Sequence, residues 1–433
     1  MTSRAGFASV DITPPVGVPM SGYPDVRLDL EWAPDAMKGY AGRRRQVSRG
    51  VHDPHLATAL ALEADGVRAV VVGLDTLVVS RAFTVSAREA LAAHGVAPEH
   101  VMLCASHTHA GPDLFAWWEG TEQAAPVQQT LDGVVRAAVE ALARLEPAEL
   151  SFGEGSLEYV SVNRRDEIGG PIDPRVAVLR ATSPETGATI ALLVSFACHP
   201  VTLDYANLLF SADYVAPFRD ALSAGFAGAG VVFVNGAAGN LNPARFPYEQ
   251  RANIYIPQTL ENFPVYWGGF ADAARLGRSL AGEALKAAER ATPIDAAPIR
   301  GRLGPARLPL KQPDDLDRFL EFMSFRESYR ESLRGRAELE TEVQVLDLGG
   351  LRLFGLPGEP FVELGLELAR RGGGDRVVVT GFANDDVRYV MTPDAYVAGQ
   401  YETVGTPLAS GSAAALVDAA AALAEIVNAQ TRQ

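Results

Sequence analysis

VMLCASHTH, residues 101–109, is an apolar run that stops on a serine and two histidines. Three further stretches are built the same way: ALLVSFACH at 191–199, LRLFGLPGE at 351–359 and VVVTGFANDDVRY at 377–389. Short runs rich in Val, Ile, Leu and Phe read as buried strands, and in open α/β sheets ligands collect beyond the carboxyl ends of strands. Four strands that each stop on a polar or ligating group predict one shared site. His, His and Glu are donors that zinc takes, with a position left for water. A metal-dependent hydrolase is the leading expectation.

Working outward, strands are expected at 69–74, 101–105, 190–197, 231–235, 351–356 and 377–380. Helices are expected at 84–93, 127–145, 215–226, 271–291 and 412–429. Such alternation predicts an α/β fold in which a mixed central β-sheet is covered by helices, with the metal site at the strand C-terminal ends. No fixed-period repeat or low-complexity tract is visible. The charged stretch 314–342 reads as an exposed helical connection between two parts of one catalytic unit spanning 1–433, because candidate ligands lie on both sides of it.

The 433 residues carry a formal net charge of −15. With a pI near 5.0, nucleic acid is not an expected partner, since phosphate binding needs a concentrated basic face. Arg43, Arg44 and Arg45 form one short basic cluster, read as a solvated loop or a clamp for an anionic group. No uninterrupted apolar segment reaches the ~20 residues of a membrane span, so stable membrane insertion is not expected. MTSRAGFASVDITPP lacks a charged and then apolar leader, which makes the cytoplasm the expected location. Cys104 and Cys198 read as buried inert thiols.

In SHTHAGPD (106–113) two histidines stand two apart after a strand, and in extended backbone residues i and i+2 face the same way. His107 and His109 are therefore expected to point into one pocket, one binding metal and the other holding water or substrate charge; hydrogen-bonded structural histidines are the bland alternative. His199 ends an apolar run directly before Pro200, which keeps it out of helix. Glu359 lies in LPGEP between a strand and the helix-like FVELGLELARR; it is either a ligand or a dipole-compatible helix N-terminal residue.

GFASVDITPPVGVPMSGY (6–23), HDPHLATAL (52–60), SHTHAGPD, VNRR (162–165), ACHPVTL (197–203), FSADY (210–214), NGAAGNLNP (235–243), LPGEP (356–360) and NDDVRYVMTPDAYVAGQYET (384–403) together resemble the catalytic domain of the neutral, non-lysosomal ceramidase family. The motifs occur in family order across nearly the whole chain. The resemblance implies zinc bound by His107, His199, Glu359 and Tyr389, and His109, Arg164 and Tyr401 facing the scissile amide. It implies hydrolysis of an amide (N-acyl) bond of a small-molecule substrate through metal-bound hydroxide. Two departures qualify it. Asn242 stands where the family has a serine, which excludes a serine nucleophile there, and the family's C-terminal immunoglobulin-like domain and export signal are not seen. A substrate other than ceramide is the resulting expectation. Esters, lactones and N-acetyl groups are the nearest alternatives, and a non-catalytic zinc-binding protein is the alternative from another class.

Phe115, Trp117 and Trp118, and the aromatic stretch 244–267, are candidate pocket or interface residues. Asp75 reads as a carboxylate partner for a ligand histidine or as a turn residue, and Asp213 as a helix N-cap. His52 and His55 read as structural, with a second metal site as the lesser alternative.

Overall fold

The computed structural model describes residues 3–23, 46–114, 124–244, 268–295, 298–323, 327–374 and 376–431. The first part of the chain comprises β1 (Arg4–Asp11), β2 (Gly50–Val51), β3 (Leu56–Ala64), β4 (Val67–Leu74), α1 (Arg81–Ala92), β5 (Val101–Ala105), α2 (Ala124–Ala143) and β6 (Glu146–Pro147). The second comprises β7 (Glu149–Ser156), β8 (Ser161–Asn163), β9 (Arg175–Thr182), β10 (Thr189–Phe196), β11 (Leu209–Phe210), α3 (Val215–Gly225), β12 (Gly230–Asn235), β13 (Leu241–Pro243), α4 (Phe270–Glu289) and β14 (Thr292–Ile294). The third comprises β15 (Ile299–Pro309), α5 (Pro313–Phe322), α6 (Glu327–Leu333), β16 (Glu338–Leu348), β17 (Leu351–Gly355), β18 (Glu359–Pro360), α7 (Val362–Arg371), β19 (Arg376–Thr380), β20 (Tyr389–Val390), α8 (Pro393–Ala398), α9 (Tyr401–Val404) and α10 (Ser412–Thr431).

The architecture is the mixed α/β one, with its main strands divided among three mixed sheets instead of gathered in one and, among the described residues, six short strands paired in three two-stranded ladders. Their orders are β5-β4-β3-β1-β6, β12-β10-β9-β7-β14 and β15-β16-β17-β19. One plan generates all three. Three antiparallel strands are followed by a crossover helix (α1, α3 or α7), and the chain then returns as a fourth strand parallel to the third. A long helix (α2, α4 or α10) next lies back across the first two strands. In the first two parts a short strand after that helix pairs with the first strand. The sequence shows no repeat because the correspondence lies in topology and not in residue identity.

Period-two alternation assigns the two faces of each sheet. Ala69, Val71, Ala191, Leu193, Leu351, Leu353 and Val378 meet in one core shared by all three sheets. Their neighbours Val70 and Val72 face α1 and α2. Leu192 and Val194 face α3 and α4, and Val377 and Val379 face α7 and α10. The third and fourth strands are therefore buried on both sides, which is why they read as unbroken apolar runs.

The stretch 314–342 differs from the expected exposed connection. Its first part is α5 and α6, but Glu338 to Glu342 belong to β16 and pair with β15, so the two helices interrupt a hairpin. Leu316, Phe319, Leu320 and Phe322 recur on one face of α5 and are buried, which holds that helix on the body of the protein. By length and composition α10 could cross a membrane over Ser412–Ala429, although half of that span is buried. Leu416, Val417, Ala420, Leu423 and Val427 pack in the third sheet's outer core, so α10 serves here as a core helix.

Gly153, on β7, is required by close approach: a Cβ there would stand 2.2 Å from the carbonyl oxygen of Ala287 in α4, and Gly6 on β1 meets Ala141 of α2 in the same way. Gly282, exposed in the middle of α4, meets nothing. Gly153→Ala is expected to destabilise the fold by about 1–3 kcal/mol through overpacking, whereas Gly282→Ala is expected to stabilise it by about 0.5–1 kcal/mol. Denaturant midpoints measure both, and equal shifts in one direction would contradict the packing.

Candidate functional site

The parallel third and fourth strands of the three sheets converge at their carboxyl ends, and side-chain amides join them. Asn235, ending β12, donates through Nδ2 to the carbonyls of Ser106 (3.0 Å) and Cys198 (3.1 Å), and its Oδ1 accepts from Cys198 N–H. Asn384, following β19, accepts from Leu103 N–H at 3.0 Å and donates to Gln344 Oε1 at 2.7 Å. Asn240 accepts from Val362 N–H at 2.9 Å, so the loop after β12 is fastened to the start of α7.

His107 follows β5 in a left-handed conformation, φ 70°. Its N–H donates to the Thr76 carbonyl and that of Ser106 to Leu74, so the extended backbone ends before the histidines. The expected same-face strand geometry does not hold; a turn brings His107 and His109 together instead, their Nε2 atoms 3.3 Å apart. His199 is anchored by its N–H on the Leu241 carbonyl. Glu359, on β18, lies opposite Tyr389 on β20 in parallel register. The preceding Gly358 has φ 65°, and a Cβ on it would meet the Arg388 carbonyl oxygen at 2.4 Å, so only glycine allows this approach.

The chemistry follows from where the lone pairs point. His107 Nδ1 faces the Leu77 carbonyl at 2.7 Å and His199 Nδ1 faces the Ala238 carbonyl at 2.7 Å. A carbonyl only accepts, so both Nδ1 atoms carry the hydrogen and both Nε2 atoms present lone pairs. Those two Nε2 atoms lie 3.1 Å apart, and Glu359 Oε2 is 3.3 Å from each. Among the described residues, His107, His109 and His199 form a donor group whose ligand atoms all lie within 4.8 Å of one another. Burial, reinforced by His107, lowers the His199 pKa to about 4, so it is neutral near pH 7. A converging cluster of buried acceptors, with Glu359 Oε2 receiving no hydrogen bond, fits a cation. Zinc is suited to this His, His and carboxylate set.

His109 differs from the other two. Its Nδ1 has no hydrogen-bond partner among the described residues, so no carbonyl fixes its tautomer. Burial, with His107 and His199 as further causes, puts its pKa well below the ordinary value. Tyr389 is buried, and burial followed by Glu359 pushes its phenol well above the ordinary value, while Arg164 and Arg388 act the other way. A phenolate at Tyr389 therefore needs further positive charge. The Arg164 guanidinium carbon stands 5.2 Å from the centre of the Tyr389 ring and 5.8 Å from that of Tyr401. The two rings are 5.8 Å apart. The sequence-derived set His107, His109, His199, Glu359, Tyr389, Arg164 and Tyr401 thus forms one contiguous cluster.

Other expectations are redrawn. Asp75 does not serve a ligand histidine: its carboxylate is clamped by Arg219 at 2.7 and 2.6 Å and accepts from Leu56 N–H. Asp213 is not the cap of α3. It adopts φ 58° and accepts from the N–H groups of Leu203 and Tyr214, while Tyr214 occupies the cap position without a side-chain bond. Asn242, on β13, accepts from Arg164 Nη1 at 3.4 Å. His52 pairs with Asp53 and stacks on Phe270, and His55 packs against Phe210. Burial raises the Cys104 thiol to about 12 and the Cys198 thiol well above its usual range, as inert thiols require. Arg43, Arg44, Arg45, Phe115, Trp117, Trp118 and the stretch 245–267 lie outside the described residues. Sequence reasoning missed Glu402, a buried carboxylate whose signal was only its place after Tyr401.

Known proteins match this chain in sequence and in fold. Residues 31–217 match the model of the neutral/alkaline non-lysosomal ceramidase N-terminal family. A neutral ceramidase of Pseudomonas aeruginosa is 30% identical over 240 residues, covering 49% of this chain and 35% of the relative. One of Mycobacterium tuberculosis is 24% identical over 434 residues, covering 76% of this chain and 63% of the relative. The chain thus spans less than two thirds of the length of either. The crystal structure of the Pseudomonas aeruginosa neutral ceramidase superposes with a TM-score of 0.77 at 22% identity, covering 99% of this chain and 75% of that one. A ceramidase complexed with C2 gives the same TM-score and identity, with 76% of that chain covered. Residues 31–217 thus carry the match to the neutral/alkaline non-lysosomal ceramidase N-terminal family, and the chain as a whole shares the fold of the Pseudomonas aeruginosa neutral ceramidase.

Proposed function

We propose that the chain is a metal-dependent amidohydrolase that cleaves an amide (N-acyl) bond of a small-molecule substrate, with zinc held by His107, His199, Glu359 and Tyr389. The observation that carries this reading is the convergence of two carbonyl-anchored imidazoles and an unbonded carboxylate oxygen in a buried site. When bound, zinc supplies a Lewis acid for the amide carbonyl and lowers the pKa of coordinated water toward ~7.

The chain's own groups supply the rest. Arg164 and Tyr401 are donors for the oxygen that gains charge when the amide carbon becomes tetrahedral. His109 begins neutral, so it accepts a proton at Nε2 from the attacking water and then delivers it to the leaving nitrogen. Its unanchored Nδ1 allows that change of protonation without breaking a backbone bond. Asn242 has no nucleophilic oxygen and engages Arg164 instead. Ceramidases are the relatives, and the amide class of substrate is carried over from them; a substrate other than ceramide remains the expectation.

Protein purified without added metal should contain about one equivalent of transition metal, for which the site has one set of donors. His199→Ala should lose it. Metal-free wild type, or a variant with unchanged content, would remove the metal from the reading. A screen of N-acyl and ester substrates with short and long chains, alongside a chelator-treated control, tests the activity. Cleavage of esters alone would replace amidase by esterase, and long-chain ceramide cleavage would overturn the substrate inference. On the substrate so found, His109→Ala should retain metal while kcat falls roughly 10²–10⁴-fold, the range for losing a proton-transfer group. Asn242→Ala should remain active and His107→Ala should not; the reverse pattern contradicts the route.

A further inference from the structure

Glu402 stands one residue after Tyr401 at the start of α9 and is 2% exposed. Its Oε1 accepts from Arg164 Nε at 2.7 Å, and its Oε2 accepts from Arg165 Nη1. Arg165 also donates to the Ala395 carbonyl at 3.0 Å, so the second arginine ties the carboxylate to α8. From the other side, Lys311 Nζ donates to the Thr403 carbonyl at 2.6 Å, which fastens the same helical turn to the third sheet. Arg164 is anchored in turn by its backbone N–H on the Asn240 carbonyl. A guanidinium held through Nε by a fixed carboxylate has its plane and direction set, with the far edge directed by the same bond.

We propose that Glu402 is a positioning residue that sets Arg164 and Tyr401 as one unit facing the reacting carbonyl. Tyr401 and Glu402 share one turn of backbone, so the carboxylate that grips Arg164 also fixes its distance from the phenol. Two arginines on one carboxylate leave net positive charge on the side of the site where the oxyanion develops. This inference rests on the hydrolase reading above for its catalytic consequence and on geometry for the clamp itself.

The test compares wild type, Glu402→Gln and Glu402→Asp in the metal-loaded enzyme. Three quantities are read: thermal melting, kcat and KM on the best N-acyl substrate, and the rate at which phenylglyoxal labels Arg164, located by mass spectrometry. Glu402→Gln should lower kcat by up to roughly 100-fold with little change in KM, the scale of loss when a reacting group is misplaced by about 1 Å. Arg164 labelling should rise several-fold, and Glu402→Asp should fall between the two in both. Should Glu402→Gln fail to fold, the Asp variant carries the same comparison. Unchanged labelling overturns the clamp, and raised labelling with unchanged kcat overturns the positioning role. Wild type inactive on every N-acyl and ester substrate sinks the hydrolase reading instead, and labelling then decides the clamp alone.

Discussion

Mutual repulsion among buried lone pairs is the constraint around which this protein is organised. Two imidazole nitrogens and a carboxylate oxygen stand 3.1–3.3 Å from one another with no hydrogen between them. Nothing in such a cluster holds itself together. The scaffold must therefore supply the order: carbonyls fix the two imidazoles from behind, Gly358 lets Glu359 approach, and Asn235 and Asn384 stitch the strand ends. Burial makes protonation of the imidazoles an expensive way to relieve the repulsion, which leaves a cation as the natural complement.

Much of this was legible in the sequence, and the reason is specific. The six strands read from apolar runs are the third and fourth strands of the three sheets, each buried on both faces. The first and second strands were not read. β7 (ELSFGEGS) and β15 (IRGRLGPARLP) carry glycines, prolines and charges that break the pattern, yet tertiary pairing makes them strands. His107, His199 and Glu359 were visible because they end the legible strands. Tyr389, Arg164 and Tyr401 came only through resemblance, since nothing in their spacing reveals a meeting across 225 residues or more. Asp75 was misread for a related reason, its partner Arg219 lying 144 residues along the chain, whereas Asp213 was misread because its left-handed backbone turns its carboxylate to Leu203 and Tyr214.

Charge around the site is balanced in layers. Glu402 takes up Arg164 and Arg165, and Arg219 is spent on Asp75. Burial alone would loosen the Arg388 proton, but Asp386 and Glu359 outweigh that and hold it more tightly than usual. Unpaired buried charges would cost several kcal/mol each. Pairing Arg164, Arg165 and Arg219 with other carboxylates leaves Glu359 Oε2 without a hydrogen bond.

The threefold topological plan has a consequence for how the molecule comes apart. No single sheet owns the site: His107 and His109 hang from the first, His199 from the second, Glu359 and Tyr389 from the third. An ion seated among them would act as a rivet through three plates. Its binding free energy would be lost whole if any one plate peeled away, so occupancy would fuse three separable openings into a single cooperative event.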